Sequence, residues 1–330
     1  MDAIGTVRAP DQVTVRTAVA SASRAPSVHN TQPWRWLFDR TRLHLYRDTC
    51  RRLSSADPQG RQLDISCGAM LDHVRVAFAA AGWATTVTLL PDTARDHLAV
   101  VEFAPAREVS ELTRARAAAI DQRCSDRLPM LPPRDWDQLH PRLRAAVEAR
   151  GAVMDVLAAS DRLRLAAASA RSAALREYDP QYLTELRWWA GNDSPADGVP
   201  ISALVSEAES AQVGVGRAFP VTPPALRRGE LTDASRLVVL SSAADRPLDW
   251  LHTGAALSAL LLDCTAAGLA TCPLTHITEV PVSRRAIAVL LPGHGQPQVV
   301  VRVGTAPTTT GQRPTPRRAV DDFLDIHRTV

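Results

Sequence analysis

Two stretches decide how this 330-residue chain folds: Cys67-Gly68-Ala69-Met70-Leu71 and Thr253-Gly254-Ala255-Ala256-Leu257. Each lies in an apolar run with helical spacing, and each run ends at a glycine (Gly82 and Gly268) before an Ala-Thr step into a strand-like segment. The two copies keep a constant offset, because 254 − 68 and 268 − 82 both equal 186. One pair of alanine-rich helices could match by chance, but a constant offset with matched glycines favours an internal duplication.

The rest of the chain alternates between helical and strand patterns. Predicted helices cover residues 10–24, 60–83, 110–121, 134–150, 162–175 and 249–268, and predicted strands cover 35–48, 85–90, 98–103, 153–158, 237–240 and 298–303. These patterns predict an α+β fold in which antiparallel-rich sheets are flanked by helices. We expect one half at residues 1–108 and a second at 109–330, where 313–318 form an extended arm before a short acidic helix. An irregular insert at about 188–220 contains apolar residues, which indicates that it packs down on the protein.

Composition excludes several classes of protein. The net charge of +3 is too small to indicate a nucleic-acid partner. No run approaches the ~18 apolar residues of a membrane span, and the N-terminus lacks a signal-peptide segment. Five scattered cysteines without a CxxC pair predict neither a disulfide framework nor a zinc site, and they fit a reducing cytoplasm. All 38 basic residues are arginine, so a phosphate must be held by arginine or by backbone N–H groups.

A polar turn follows the first predicted helix and reads Arg24-Ala25-Pro26-Ser27-Val28-His29-Asn30-Thr31-Gln32-Pro33-Trp34. Turns between a helix and a strand place polar side chains and N–H groups where a ligand can reach them. Amide and hydroxyl groups both donate and accept, which suits a flat heteroaromatic ligand, and the two prolines limit the loop entropy lost on binding. The alternative is a capped turn in which Ser27 and Asn30 bond only to the local backbone.

Two further motifs lie in the second half. Arg123-Cys124-Ser125-Asp126-Arg127 places two guanidinium groups on either side of a hydroxyl, which suits a phosphate monoester, although a solvated basic turn would show the same pattern. Ala270-Thr271-Cys272-Pro273-Leu274-Thr275-His276-Ile277 follows the second glycine-capped helix. The chain contains no metal-ligand spacing, and neither G-x-G-x-x-G nor G-x-S-x-G occurs.

Together these motifs resemble the FMN-dependent nitroreductase family, and in particular its Acg-type actinobacterial branch. The resemblance implies a set of FMN-binding residues: Arg24, Pro26, Ser27, Val28, His29, Asn30, Gln32, Arg123, Ser125, Arg127, Pro273, Leu274, Thr275, Arg302, Arg317 and Arg318. In the family, the turn reaches the flavin, the R-x-S-x-R motif binds its phosphate, and the proline segment runs under the isoalloxazine ring. The C-terminal arginines resemble those that close over the phosphate, with a solvated tail as the alternative. Thr275-His276 stand where the family often has an acidic residue and a glycine, so the surroundings of the flavin N5 differ, and His276 is expected to be a buried, hydrogen-bonded histidine.

The motifs are divided between the two halves. The first half supplies the turn, whereas the second half supplies R-x-S-x-R and the proline segment, and its own counterpart of the turn, near Leu131-Pro132-Pro133, is degraded. We therefore expect one monomeric chain to mimic the family's dimer, with one FMN at the seam and no second site.

The resemblance implies FMN as cofactor, NAD(P)H as hydride donor, and a nitro or quinone compound as acceptor. Because the flavin performs the chemistry, no catalytic residue is predicted. The alternative is an FMN storage protein in which the insert, as a lid, covers the flavin and prevents turnover. Neither nucleic acid nor membrane is an expected partner.

Overall fold

The computed structural model describes residues 9–191, 194, 196–223, 227–293, 295–307 and 315–327. Arg313 and Pro314 of the predicted arm, and Asn192, Asp193 and Pro195 of the insert, lie outside these residues. Within them the helices are α1 (Gln12–Ala22), α2 (Arg61–Ala80), α3 (Glu111–Gln122), α4 (Trp136–Glu148), α5 (Arg162–Arg176), α6 (Pro180–Trp189), α7 (Glu207–Val213), α8 (Pro247–Ala266), α9 (His276–Glu279) and α10 (Pro281–Ala288). None of these helices is both long and apolar enough to cross a lipid bilayer.

The strands form two sheets. They are β1 (Trp34–Phe38), β2 (Arg42–Arg47), β3 (Trp83–Asp92), β4 (His97–Pro105), β5 (Val153–Val156), β6 (Arg236–Ser242), β7 (Ala270–Leu274), β8 (Gln296–Gly304) and β9 (Leu324–Ile326). The first sheet has the order β3-β4-β2-β1-β9 and the second has the order β7-β8-β6-β5. Neighbouring strands are antiparallel except β1 and β9. The predicted α+β class with antiparallel-rich sheets is confirmed.

The two predicted copies of the apolar helix cross at the centre of the molecule. Both α2 and α8 have twenty residues, and their first residues as well as their last residues differ by 186. A Cβ on Gly68 would lie 2.2 Å from the carbonyl oxygen of Leu251, and a Cβ on Gly254 would lie 2.0 Å from that of Ile65. Only glycine allows backbones to approach so closely. The matched glycines and the repeated strand order support the duplication, which remains an inference.

Each central helix packs against one of the two sheets and forms a hydrophobic core with it. We call α2 with the first sheet the first lobe, and α8 with the second sheet the second lobe. α2 packs under the first sheet with side chains such as Met70, Val74 and Phe78. α8 packs under the second sheet through Leu260 and Cys264. In that sheet β6 and β8 are buried almost from end to end, which explains why their sequences are continuously apolar rather than alternating.

The C-terminus differs from the prediction of a short acidic helix, which was wrong beyond its first turn. Val320–Asp322 form a single 3₁₀ turn, and β9 then pairs in parallel with β1 of the first sheet. The backbone N–H of Trp36 donates to the oxygen of Phe323 at 2.6 Å. The end of the second predicted half thus joins the sheet of the first. The halves interlock, and a division at residues 108 and 109 remains a prediction.

The described part of the insert packs against the protein. Helix α7 of the insert begins with a capping box. The Ser206 hydroxyl accepts a hydrogen bond from the backbone N–H of Glu209, and the Glu209 carboxylate accepts one from the backbone N–H of Ser206. Glu209 is fully buried and also accepts hydrogen bonds from the backbone N–H groups of Arg227 at 2.6 Å and Arg228 at 3.1 Å. Leu204 and Val215 are fully buried. These contacts hold this part of the insert against the rest of the protein.

Replacing Gly254 by alanine should destabilise the protein although alanine is the better helix former. The added methyl group would overlap the Ile65 carbonyl, and overpacking of this kind costs about 1–3 kcal/mol. Urea unfolding measures the change. Gly293→Ala is the matched control, because a Cβ there meets nothing within 4 Å, and it should change the free energy of unfolding by less than about 0.5 kcal/mol. Equal effects of the two substitutions would contradict the close crossing.

Candidate functional site

One cavity is lined by segments from both predicted halves. The first half contributes the turn after α1 and part of α2, and the second contributes the segment after α3, the end of β7, the insert and the C-terminal arm. Thirteen of the predicted residues line it: Pro26, Ser27, Val28, His29, Asn30, Arg123, Ser125, Arg127, Pro273, Leu274, Thr275, Arg302 and Arg317. Arg24, Gln32 and Arg318 are predicted contacts that do not line the cavity.

The turn after α1 has an unusual backbone. His29, Asn30 and Gln32 have φ values of 47°, 57° and 49°, in the left-handed region that side chains other than glycine rarely adopt. One local bond and one bond to α2 hold this conformation: the Ser27 hydroxyl accepts from the N–H of Gln32 at 3.0 Å, and the N–H of Val28 donates to Ser66 of α2 at 3.1 Å. Ser27 therefore caps the turn, as the alternative interpretation expects, while it also lines the cavity.

The two amides of the turn hold other parts of the chain in place. Asn30 Nδ2 donates to the carbonyl oxygens of Gly198 in the insert at 2.9 Å and of Pro316 in the arm at 3.0 Å. Gln32 Nε2 donates to Ala196 at 2.9 Å, and its Oε1 accepts from the N–H of Arg318 at 3.0 Å. These partners explain why Gln32 lies behind the lining: its side chain joins the insert to the arm.

Arg318 lies behind the lining for a similar reason. Its guanidinium donates to the backbone oxygen of Gln32 at 3.1 Å and lies 3.5 Å from the Asp48 carboxylate. A nearby arginine, Arg51, donates to the Thr31 oxygen at 2.5 Å and forms an ion pair with Asp197 of the insert. The arm and the insert are thus both tied to the turn.

Three arginines of the predicted set, Arg123, Arg127 and Arg317, line the cavity. Arg123 is buried, whereas Arg127 and Arg317 are half-buried. Nη2 of Arg123 and Nη2 of Arg317 both donate to the backbone oxygen of Arg24 at 2.9 Å, and Nη1 of Arg127 donates to Ala203 at 3.2 Å. Arg24 therefore contributes its carbonyl, which sets two guanidinium groups side by side.

The charge of these three guanidinium groups is not balanced by a carboxylate of the described residues. Among the residues that the structure describes, none of the three forms an ion pair with a carboxylate, and Nε and Nη1 of Arg123 make no hydrogen bond. Desolvation lowers the pKa of Arg123 to about 10, and the pKa of Arg317 lies well below its usual value for the same reason. Buried positive charge without a counterion is unfavourable, so the part of the cavity wall formed by Arg123 and Arg317 suits an anion.

The carboxylates nearby are already engaged. Asp126 lies 2.9 Å from Arg228, and Asp233 lies 2.9 Å from Arg302. Arg302 also donates to the oxygen of Leu128 at 2.6 Å. Although Arg302 lines the cavity as predicted, its charge is compensated, and its main contribution is to fix the wall.

The proline segment lies directly beside the arginine motif. Ser125 forms a β-bridge with Thr271, and the N–H of Asp126 donates to the oxygen of Thr271 at 2.8 Å. Because β7 is the edge strand of its sheet, one row of its backbone groups lies outside the sheet ladder. The cavity therefore combines charged donors at one end with a strand edge along its side.

Several lining residues were not predicted. Gln62, Ile65 and Ser66 come from the first turns of α2, and Arg217 and Phe219 come from the end of the insert. The Phe219 ring lies 5.7 Å from the Arg127 guanidinium and makes an edge contact with His29 at 6.2 Å. None of these residues belongs to a local motif, and only for Phe219 did the sequence give a signal, the apolar character of the insert.

Two histidines in this region are kept neutral. Burial, followed by the positive charge of Arg217, lowers the pKa of His29 well below its usual value, and the same two causes lower the pKa of His276. Arg217 itself forms an ion pair with Glu279, in which both side chains are at most 8 % exposed. The expectation of a buried, hydrogen-bonded His276 agrees with its bond to Ser169 at 2.7 Å.

Comparison with known proteins identifies the family. The model of the family described as "Nitroreductase family" matches residues 152–305. "Putative NAD(P)H nitroreductase acg" of Mycobacterium tuberculosis H37Rv is 45% identical over 315 residues, which cover 94% of this chain and 95% of that protein. This chain belongs to the nitroreductase family. The 45% identity with acg extends over nearly the full length of both chains, which places this chain in the Acg-type branch, as the motifs predicted.

Two further relatives complete the comparison. "Uncharacterized protein Rv3127" of the same organism is 45% identical over 322 residues, covering 96% of this chain and 94% of that protein. A solved structure, the FMN-dependent nitroreductase NfnB from Mycobacterium smegmatis in complex with NADPH, is 16% identical with a TM-score of 0.43, over 66% of this chain and 100% of its own. A structural likeness of this size supports no conclusion about the site of this nitroreductase-family chain.

The stability of the cofactor-free protein should fall as the pH drops below about 6.5. His29 and His276 bind protons more weakly when folded than when unfolded, so the unfolded chain gains protons first. Each buried histidine contributes up to about 1.4 kcal/mol per pH unit in this window. Urea unfolding at pH 7.0, 6.0 and 5.5 measures the slope. His29→Asn, which tolerates the left-handed backbone, should reduce that slope, and an unchanged slope would contradict the assignment.

Proposed function

We propose that this protein binds one FMN in the cavity between its lobes. The phosphate would accept hydrogen bonds from Arg123, Arg127 and Arg317, and the isoalloxazine ring would lie along residues 273–275. The observation that carries the proposal is that three arginines line the cavity and none of them has a carboxylate partner among the described residues. A phosphate supplies both the negative charge and the acceptor atoms that these arginines lack.

The assigned family indicates what the cofactor would do. Bound FMN supplies two-electron redox chemistry, and we propose NAD(P)H as the hydride donor and a nitro or quinone compound as the acceptor. The chain's own residues would bind and orient the cofactor. The edge strand β7 would lie along the ring, the turn would close one side, and neutral His29 would add no charge there. Residues of both halves line this one site, which supports a monomer that acts as its own pseudo-dimer.

A second function, storage of FMN without turnover, is favoured by the position of the insert. Arg217 and Phe219 line the cavity from the insert side, and Asn30, Gln32 and Arg51 hold residues 196–198 to the turn. An insert held over the flavin would act as a lid and block stacking of a nicotinamide ring. The same contacts would slow loss of FMN, so tight binding and low turnover would occur together.

Replacing Arg123 by methionine should weaken FMN binding and yet stabilise the cofactor-free protein. The change removes charged hydrogen bonds to phosphate, worth about 1.5–3 kcal/mol, so the Kd should rise roughly 10- to 100-fold. It also removes buried charge that has no counterion, so urea unfolding without FMN should require more denaturant. Fluorescence titration with FMN measures the affinity.

The matched control is Arg116→Met, because Arg116 forms a two-bond ion pair with Asp263 at 2.6 and 2.7 Å, away from the cavity. This variant should lose stability and keep its FMN affinity. Retention of stoichiometric FMN by Arg123→Met at the wild-type affinity would refute the phosphate assignment.

Steady-state consumption of NAD(P)H with a quinone or nitrofuran separates the two functions. Turnover by the wild-type holoprotein supports the oxidoreductase. Storage is supported if the wild-type protein is yellow but has no turnover and the Asp197→Asn variant gains turnover. That substitution removes the ion pair between Arg51 and the insert. Asp321→Asn, which breaks an exposed pair with Arg16, is the control and should leave the rate unchanged.

A further inference from the structure

One amide side chain of the turn after α1 holds the insert and the C-terminal arm at the same time. Nδ2 of Asn30 donates one hydrogen bond to the oxygen of Gly198 in the insert at 2.9 Å and a second to the oxygen of Pro316 in the arm at 3.0 Å. Asn30 is buried, and both hydrogens of its amide are used. Since the amide is planar, its orientation suits both partners only while both are in place.

Gln32 repeats this arrangement with the two ends of its amide. Nε2 donates to the oxygen of Ala196 in the insert at 2.9 Å, and Oε1 accepts from the backbone N–H of Arg318 in the arm at 3.0 Å. The orientation of this amide is fixed, because a carbonyl only accepts and a backbone N–H only donates. Two buried amides of one turn therefore each join the same two segments.

The turn that carries both amides requires support from outside. The φ values of His29, Asn30 and Gln32 are positive, and side chains other than glycine persist in this region only where surrounding contacts over-determine the backbone. The bonds to the insert and to the arm belong to those contacts. Loss of one segment would let the turn relax, and that relaxation would move the amides that hold the other segment.

Each segment also has an ion pair of its own. Asp197 of the insert pairs with Arg51, and Arg318 of the arm lies 3.5 Å from Asp48. Direct attraction between the two segments is weak in comparison: burial and the charge of Arg51 lower the pKa of Arg318, and Asp197 opposes this as the weakest of three carboxylates. The ion pairs thus allow each segment to be loosened separately, and the amides remain as the link between them.

We propose that the insert and the arm open and close as one unit, and that Asn30 and Gln32 are the positioning residues that couple them. The coupling belongs to the chain itself and requires no cofactor. Both segments line the cavity, the insert through Val199 and Phe219 and the arm through Thr315. The consequence for FMN rests on the proposed function: the flavin would be released only when both segments open together.

Hydrogen exchange measured by mass spectrometry on the full chain without FMN tests the coupling. Asp197→Asn removes the ion pair of the insert, and Asp48→Asn removes that of the arm. Because the segments open as one unit, each substitution should speed exchange by the same factor in both, residues 196–204 and residues 315–323. The factor should be about two- to fivefold, which corresponds to the loss of one partly exposed ion pair. Faster exchange confined to the segment whose ion pair is lost would overturn the proposal, as would unchanged exchange in both.

Glycine substitutions locate the link. A chain with Asn30→Gly and Gln32→Gly has neither amide, while glycine still allows the left-handed backbone. Adding Asp197→Asn to this chain should speed exchange in residues 196–204 and leave residues 315–323 unchanged. A response in both segments would exclude the amides as the link. Should the double glycine variant fail to fold, Asn30→Gly alone is the milder test: it should reduce the factor transmitted to the arm, and an undiminished factor would overturn the proposal.

Glu102→Gln is the matched control, because it breaks an exposed pair with Arg42 at 2.8 Å in the first sheet, and it should leave exchange in both segments unchanged. A second readout uses the FMN-loaded protein. Asp197→Asn and Asp48→Asn should each speed FMN release, which is followed by the recovery of flavin fluorescence after dilution. A chain that binds no FMN would contradict the proposed function, whereas the coupled opening would still be decided by hydrogen exchange.

Discussion

The close crossing of α2 and α8 is the constraint on which the remaining structure depends. At Gly68 and Gly254 the two backbones touch, and no side chain larger than hydrogen fits between them. The crossing brings Ser66 of α2 and Leu257 of α8 into the wall of one cavity. A wider separation would pull these walls apart and also part the two hydrophobic cores, because Leu251 of α8 packs in the core of the first lobe and Ile65 of α2 in that of the second. The site is therefore a consequence of how the lobes meet, and neither lobe contains it alone.

The same seam contains two arginines, Arg123 and Arg317, that have no carboxylate partner among the residues described by the structure. Carboxylates are close by, but Asp126 and Asp233 are held by Arg228 and Arg302, so they are not available to Arg123 or Arg317. Folding must therefore offset the cost of desolvating these cations through apolar burial elsewhere. An arrangement that lowers the stability of the empty protein while raising its affinity for an anion is typical of a binding site, where strain and unpaired groups persist because a ligand relieves them.

Local patterns in the sequence predicted what local physics determines. Helical spacing with a glycine cap located α2 and α8, and the motif Arg123-Cys124-Ser125-Asp126-Arg127 contributes three of its residues to the cavity wall. The rest depends on partners that are distant in the chain. Three residues, Leu324–Ile326, form a strand only because β1 offers an open edge, so their own sequence could not reveal it. Gln32 looked like a ligand contact because its bonds to Ala196 and Arg318 exist only in the folded chain, and Phe219 belongs to no motif at all.

The polar groups of the turn also determine the direction in which a flavin would fit. The side-chain amide of Asn30, which lines the cavity, donates hydrogen bonds to the carbonyl oxygens of Gly198 and Pro316. Its Oδ1 remains as an acceptor. The guanidinium groups of Arg123 and Arg127, by contrast, can only donate hydrogen bonds. FMN has the matching polarity, since its phosphate only accepts and the N3–H of its ring donates. If FMN binds as proposed, the bonds that hold the insert and the arm over the turn would also leave Oδ1 of Asn30 as an acceptor for the ring.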